Sequence, residues 1–334
     1  MVIKPDEAEP SVNLIVRPDE SGTGLLEFLS SYLINESKIS LRRLVAWGRI
    51  KVSGSPGTTG RTVWSGDVVS LPPGLAPSPP PPQTMPISVL HEDADHLCLN
   101  KPPGVPVLPG RMGEGAEFYR SLVALLNRDA PAGGPYVRPH IVHRIDRETS
   151  GILLVAKTVK AGRALSGLFE HRQVEKLYLG VLEGVLPQPE LTLDIPLARM
   201  PGSVLRMAPD PKHGKPACTR LLLKERFGHF CLVEARPLTG RQHQIRTHLA
   251  AIGYPLAVDD LYGRRAELAG ADYNSIVGRA AVRPQERLLS RLSLHAAGIS
   301  YRHPVSGDAI SHAAPLPHDL AAFLDLLRRT DKAP

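Results

Sequence analysis

One carboxylate, Asp146, stands between two arginines in the stretch His143-Arg144-Ile145-Asp146-Arg147-Glu148-Thr149-Ser150-Gly151, which runs straight into the apolar segment Ile152-Leu153-Leu154-Val155-Ala156. A carboxylate at the mouth of a buried strand with cations beside it is ionised and aimed, so it can serve as nucleophile, base or charge partner. A second stretch, Leu238-Thr239-Gly240-Arg241-Gln242-His243-Gln244-Ile245-Arg246-Thr247-His248-Leu249, collects donors. Ile245, Leu249 and Ile252 recur at helical spacing, which predicts a helix over 242–252 that buries this face and leaves Arg241, Gln244 and His248 on others. The Thr239-Gly240 turn falls at the helix start, where unpaired backbone N–H groups favour phosphate. Together with Arg241, His243 and Gln244 it reads as a site for an RNA backbone. In a third stretch, Glu175-Lys176-Leu177-Tyr178-Leu179-Gly180-Val181-Leu182, strand alternation puts Tyr178 on the face opposite Leu177, Leu179 and Val181, beside Gly180. The missing side chain there leaves room for a ligand, and a tyrosine in that place can stack on a flipped base, hand off a proton, or simply fill the core.

Other chemistries lack their residues. His243 and His248 are five apart and do not share a helix face, and His140 and His143 have no cysteine or carboxylate pair to complete a metal set, so no metal site is expected. His143-Arg144-Ile145-Asp146 echoes a kinase catalytic loop, but no Gly-rich phosphate loop or Asp-Phe-Gly accompanies it. Gly22-Thr23-Gly24 lacks the third glycine of a dinucleotide fingerprint, and no Gly-x-Ser-x-Gly elbow is present. Cys98, Cys218 and Cys231 are odd in number and form no Cys-x-x-Cys pair, which points to a reducing cytoplasm. No run of about 18 apolar residues exists, and residues 1–10 do not resemble a secretory signal, so a soluble protein is expected.

The elements that must position these residues divide at 72–86, where eight prolines exclude helix and sheet and predict an extended linker. With 334 residues, 42% of them apolar, the chain has room for a small leading domain at 12–71 and a larger one at 87–330. In the leading part, Leu25, Leu26, Phe28, Leu29, Tyr32 and Leu33 predict an amphipathic helix, and Ser40 is the expected cap of a second helix over 41–47 that Gly48 ends. Residues 49–52 alternate charged and apolar as a short strand, and 67–71 supply a closing one. Between Glu36 and Thr62 six cations, Lys38, Arg42, Arg43, Arg49, Lys51 and Arg61, face one anion, so much of the net charge of +7 lies here. That favours a nucleic-acid partner.

In the larger part, strands are expected at 87–90, 97–100, 152–157, 176–183, 219–224 and 230–235, and helices at 118–127, 161–171, 242–252 and 318–328. Strands follow one another without regular alternation with helices, which predicts an α+β fold with a mixed, largely antiparallel sheet.

Residues 143–151, 175–184 and 239–248, taken in this order, resemble the signature set of the RluA-type family of RNA pseudouridine synthases. Asn100-Lys101-Pro102-Pro103-Gly104, Asp260-Leu261-Tyr262-Gly263, Leu294-His295-Ala296 and Ala314-Pro315-Leu316-Pro317 add to the likeness, which covers nearly the whole chain. The leading part resembles an S4 domain, a small α/β RNA-binding module whose basic helix and following strand would here present Lys38, Arg42, Arg43, Arg49 and Lys51. The resemblance implies a catalytic domain of pseudouridine synthase type that converts uridine to pseudouridine in structured RNA, with large-subunit ribosomal RNA the expected target. It implies Asp146 as the essential aspartate, Tyr178 as the active-site tyrosine, Arg246 as the arginine that pairs with the aspartate, and Arg144 as the residue inserted where the nucleotide leaves. No cofactor, metal or membrane is called for, and a monomer is expected. The chain departs from the family at Val258, where a glycine is usual, which puts the RNA contacts of that loop in question, and residues 264–286 look like an insertion of no assigned role. Two alternatives stay open: a non-catalytic RNA-binding or ribosome-assembly factor, and a synthase directed at transfer RNA.

Overall fold

The structure, a computed structural model, describes residues 12–77, 79–110, 114–130 and 134–331. They form two compact units, one from residues up to 86 together with 120–139, the other from 87–119 and from 140 onward. The first carries β1 (Asn13–Ile15), β2 (Thr23–Gly24), α1 (Leu25–Tyr32), α2 (Lys38–Ala46), β3 (Lys51–Val52), β4 (Ser55–Pro56), β5 (Thr62–Val63) and β6 (Val68–Ser70). Strands β1, β6, β3 and β4 make one antiparallel sheet in that order, and β2 pairs with β5.

The helical periodicity of α1 brings Leu25, Phe28 and Leu29 against Leu41 and Val45 of α2 and Val52 and Val69 of the sheet. Helix α2 begins earlier than its sequence suggested. Ser37, not Ser40, is the cap: its Oγ accepts the Ser40 N–H at 3.0 Å, so Ser40 sits inside the first turn. Residues 72–86 form neither helix nor strand where described, yet they are tied down. The Thr84 and Met85 N–H groups both donate to Ser121 Oγ at 3.0 Å, and Asn35 donates to the Pro79 carbonyl at 3.1 Å.

Along the chain there follow β7 (Ser88–Glu92), β8 (His96–Lys101), α3 (Glu117–Leu126), β9 (His140–Ile141), β10 (Ser150–Ala156), α4 (Val159–Glu170), β11 (Glu175–Glu183), β12 (Glu190–Asp194), β13 (Leu197–Arg199) and β14 (Met207–Pro209). The remainder comprises β15 (Cys218–Phe227), β16 (Phe230–Pro237), α5 (Gln244–Ala251), β17 (Leu268–Ala269), α6 (Gly270–Val277), β18 (Arg287–Leu289), β19 (Leu294–Arg302), β20 (Ala309–Ala313) and α7 (His318–Asp331). A ten-stranded sheet runs β12-β15-β16-β11-β19-β10-β8-β7, with β20 on β19 and β9 on β10. Only β10 and β19 run parallel within it, so the mixed, largely antiparallel α+β architecture is as expected.

Strand β10 is buried along its whole length, which accounts for its unbroken apolar run. Its second residue, Gly151, has φ +108° and faces the backbone of Ala296 on β19 so closely that a Cβ would overlap the Ala296 carbonyl. Gly151→Ala is therefore expected to cost about 3 kcal/mol or more, from backbone strain and from steric overlap with a neighbouring main chain. Equilibrium urea unfolding measures this; a loss below about 1 kcal/mol, the ordinary cost of a substitution, would contradict the close approach.

Candidate active site

A cleft of about 810 Å³ opens beside the start of β10, lined by Arg144, Asp146, Lys176, Tyr178, Arg241 and Arg246 among others. That volume suits a nucleotide-sized ligand. The Asp146 carbonyl accepts the Thr149 N–H at 3.2 Å, so the aspartate heads a tight turn into β10. Two frames hold this turn. On one side the fully buried Lys101 donates to the carbonyls of Pro102, Val105 and Arg147 at 2.7, 2.9 and 3.0 Å, and burial pulls its pKa down to about 7. On the other, Ser150 Oγ bonds His295 Nδ1 at 2.9 Å and accepts from Arg291 at 3.0 Å, while Arg291 also grips Asp319 with Nε at 2.7 Å. Two stretches noted in the sequence, 100–104 and 294–296, thus act as buttresses of the Asp146 turn.

Asp146 keeps 24% of its side chain exposed toward the cleft. Its flanking arginines are not its ion-pair partners: Arg147 pairs with Glu148 at 3.5 Å, and Arg144 stands exposed on the cleft wall. The nearest cation is Arg246, whose Nη1 lies 3.7 Å from Asp146 Oδ2. Arg246 makes its shorter bonds elsewhere, however. Nε and Nη2 bind Asp259 at 2.8 and 2.6 Å, and Nη2 also reaches Asp260 at 2.9 Å. Arg246 and Asp259 are almost fully buried, so this forked pair fixes the guanidinium and leaves one edge for Asp146. The three carboxylates raise the Arg246 pKa against its burial, and it stays charged.

His243, expected among RNA-backbone donors, instead stands beside the aspartate, with Nε2 4.0 Å from Asp146 Oδ1. Its backbone is left-handed, φ 52°, at the cap of α5, which turns the ring inward. Nδ1 bonds the Tyr262 hydroxyl at 2.9 Å, and that oxygen accepts the Met207 N–H at 2.7 Å. Where the hydroxyl donates to His243 Nδ1, the imidazole proton lies on Nε2, facing Asp146. Burial lowers the His243 pKa against the pull of Asp146, favouring this neutral form.

Tyr178 lies on β11 in the cleft wall, and burial together with the Asp146 charge pushes its phenol well above the usual tyrosine range. It is thus a neutral phenol at physiological pH. The space beside it is not left for a ligand by Gly180, as the sequence suggested: a Cβ there would meet Leu256 and Leu294 at 3.1 and 3.4 Å, so those side chains fill it.

Two further expectations need correction. Gln244 is buried and has no amide valence free for RNA. Its Oε1 accepts from Thr239 Oγ1 at 2.6 Å and from the Arg241 N–H at 3.0 Å, while Nε2 donates to the Cys218 carbonyl and to Thr219 Oγ1, both at 2.9 Å. His248 is likewise internal, bonded to Thr219 and the Ile195 carbonyl at 3.0 Å. The donors of 239–248 therefore build the loop that presents His243 and Arg246. Arg241 remains on the cleft wall, with Nε donating to the Pro216 carbonyl at 3.0 Å. In the first unit Lys38, Arg42, Arg43, Arg49 and Lys51 are all exposed.

Asp259 and Tyr262 were not singled out as site residues in the sequence. The adjacent pair Asp259-Asp260 next to Tyr262 is the available signal, since paired acids can clamp an arginine brought to them by the fold. Val258, where glycine is usual, is buried among Val181, Phe230 and Ala257 and leaves Asp259 in place. Residues 264–286 contribute to the same clamp, because the Asp259 N–H donates to the Arg265 carbonyl at 3.0 Å.

His143 gives the turn a pH dependence. Its Nε2 accepts the Leu154 N–H at 2.8 Å, its ring stacks on Phe169 at 4.5 Å, and burial with the nearby Lys176 charge pulls its pKa down to about 3. The folded form binds this proton less well than the unfolded chain, where histidine titrates near pH 6.5. The contribution of His143 is thus full above about pH 6.5 and is lost as pH falls from there toward 3. Urea midpoints measured from pH 7 to pH 4.5 should fall less steeply in His143→Gln, which keeps an acceptor but cannot titrate; parallel curves would contradict this assignment.

Comparison with known proteins finds this chain similar to RNA pseudouridine synthases. Residues 95–251 match the family model described as RNA pseudouridylate synthase. The chain is 33% identical over 325 residues to the ribosomal large subunit pseudouridine synthase D of Nitrosomonas europaea, covering 96% of this chain and 89% of the relative. It is 32% identical over 333 residues to the ribosomal large subunit pseudouridine synthase C of Salmonella typhi, covering 96% and 98%. Among solved structures, the human RNA pseudouridylate synthase domain containing 4 shares the fold, with TM-score 0.56, 23% identity, and coverage of 72% of this chain and 93% of that one.

Proposed function

Because this chain belongs to the RluA-type family of RNA pseudouridine synthases, we propose that it isomerises uridine in large-subunit ribosomal RNA, with Asp146 as the essential carboxylate. The observation that carries the assignment of Asp146 is its place in the cleft: partly exposed, 3.7 Å from an arginine that two further carboxylates already hold in position. The reaction detaches uracil from C1′, turns it and rejoins it through C5. A uridine in folded RNA hides C1′, so it must leave the stack, and the exposed guanidinium of Arg144 is placed to fill the gap.

Asp146 then attacks the nucleotide or removes a sugar proton, with Arg246 stabilising the carboxylate and His243 offering a proton from the other side. Tyr178 stacks on the uracil and, as a neutral phenol, relays the C5 proton rather than taking it as a preformed phenolate. Nothing is oxidised or hydrolysed overall, so we assign this chemistry no cofactor and no metal. Arg241 and the exposed Lys38, Arg42, Arg43, Arg49 and Lys51 of an S4-like leading domain would hold phosphates. We place the protein in the cytoplasm as a monomer; among the described residues no helix is long and apolar enough to cross a membrane.

Carbodiimide mapping of pseudouridine in total RNA from a deletion strain tests the target. Loss of a site in large-subunit ribosomal RNA, restored by the wild-type gene, is expected. Loss confined to transfer RNA would move the proposal to that substrate.

A further inference from the structure

Away from the cleft, four histidines and an aspartate gather where two hairpins of the second unit meet: His91, Asp93 and His96 from β7–β8, and His303 and His312 from β19–β20. These hairpins are not strand-paired with each other among the described residues, because β10 stands between β8 and β19.

Asp93 is the hub. Its Oδ2 lies 3.1 Å from His91 Nε2, 3.0 Å from His96 Nδ1 and 3.1 Å from His303 Nε2. His96 is fully buried, and its Nδ1, though close to Asp93, makes no well-directed hydrogen bond. Its other nitrogen, Nε2, meets the Tyr301 hydroxyl at 2.5 Å, and His312 Nε2 approaches the same oxygen at 3.2 Å. The rings of His91 and His312 stack at 4.9 Å.

Two triads have ligand atoms within 4.8 Å of one another: His91, His96 and His312, and Asp93, His96 and His303. Tautomer chemistry separates them. His303 Nδ1 accepts the Val305 and Ser306 N–H groups at 3.2 and 3.0 Å, so its proton sits on Nε2, the atom that would have to bind a metal. His91 carries the opposite arrangement: its Nε2 turns to Asp93, and a carboxylate that takes the proton of one ring nitrogen leaves the other as a lone-pair donor, the usual support of a metal-bound imidazole, while His96 Nδ1 lies close to Asp93 without such a bond.

We propose that His91, His96 and His312 form a binding site for a borderline divalent transition-metal ion of the zinc class, with Asp93 orienting the ligands and His303 completing the hydrogen bonding of Asp93. Tetrahedral zinc with nitrogen ligands at about 2.0–2.1 Å sets those nitrogens roughly 3.3 Å apart. The triad needs a closure of roughly 1.5 Å at most, which the half-buried His91 and His312 make by side-chain rotation. Metal–nitrogen bonds replace the hydrogen bonds to Tyr301, and the ion clips together two hairpins that no ladder joins. Hard ions such as magnesium, which prefer oxygen, are excluded by the donor set.

The test uses tag-free full-length protein, stripped with chelator and titrated with Zn²⁺ or Mg²⁺, with binding read by calorimetry and by thermal melting. At free zinc about 100 times Kd the melting temperature should rise about 4–6 °C, with no response to magnesium. His91→Ala and His312→Ala should each weaken zinc binding at least about tenfold, the lower end of what disturbing even a ligand's hydrogen-bond partner costs. Both side chains are partly exposed, so folding should survive, and circular dichroism checks this. His303→Ala, which removes only a hydrogen bond to Asp93, should weaken zinc binding less than either ligand variant does. A parent that binds no zinc, or binding that depends on His303 and not on His312, would overturn the proposal.

Discussion

Asp146→Asn is expected to lower pseudouridine formation by about 10⁴-fold or more, because the amide can neither attack nor accept a proton at the sugar. Folding should be spared. Among the described residues the Asp146 side chain makes ion contacts only with His243 and Arg246, at 4.0 and 3.7 Å, and the Arg246 charge remains balanced by Asp259 and Asp260. RNA affinity and melting temperature should therefore match the wild type. Single-turnover assays beside filter binding separate these quantities. An Asn variant that turns over within about tenfold of wild type would remove Asp146 from the chemistry.

The second large effect falls on stability. Asp259→Ala removes the buried partner of the buried Arg246 and strands its guanidinium, a change that typically costs about 3–5 kcal/mol. It also deprives the Leu261 and Tyr262 N–H groups of the carboxylate oxygen that accepts both, at 3.0 and 2.9 Å, and so loosens the ring that holds His243. Asp260, 53% exposed, touches the same arginine from the solvent side, and Asp260→Ala should cost under about 1 kcal/mol. Urea unfolding of both variants discriminates: equal losses would contradict the ranking of the two carboxylates. Catalysis should follow stability, since Arg246 loses its fixed position when Asp259 is removed.

The motif residues and the fold class were legible because each rests on a local pattern. The apolar run of β10 announced a strand buried on both faces, and the periodicity of α1 and α5 announced their buried sides. What escaped depends on tertiary partners. Strand β19, Leu294–Arg302, has no clean alternation: its Ala296, Ala297 and Gly298 are small, and Gly151 approaches the main chain of Ala296. Nothing in that composition reads as a central strand. Gln244 looked solvent-facing on a helical wheel, but α5 packs against β15, and its polar face is buried by hydrogen bonds to Cys218 and Thr219. A wheel shows which residues share a face, and only the fold shows what that face meets. Arg246, which the family resemblance sets beside Asp146, lies 3.7 Å from it, while its tighter partner Asp259 lies in a loop whose register no periodicity encodes.

The proposed activity requires that this cleft rearrange uridine and not merely bind RNA. The most direct measurement supplies wild-type protein with a large-subunit ribosomal RNA transcript carrying tritium at uracil C5, then counts tritium released to water and analyses the recovered nucleosides. Tritium release matched mole for mole by pseudouridine is the expected result. RNA that is bound by the protein yet releases no tritium and yields no pseudouridine would contradict it and leave a binding protein with a synthase fold.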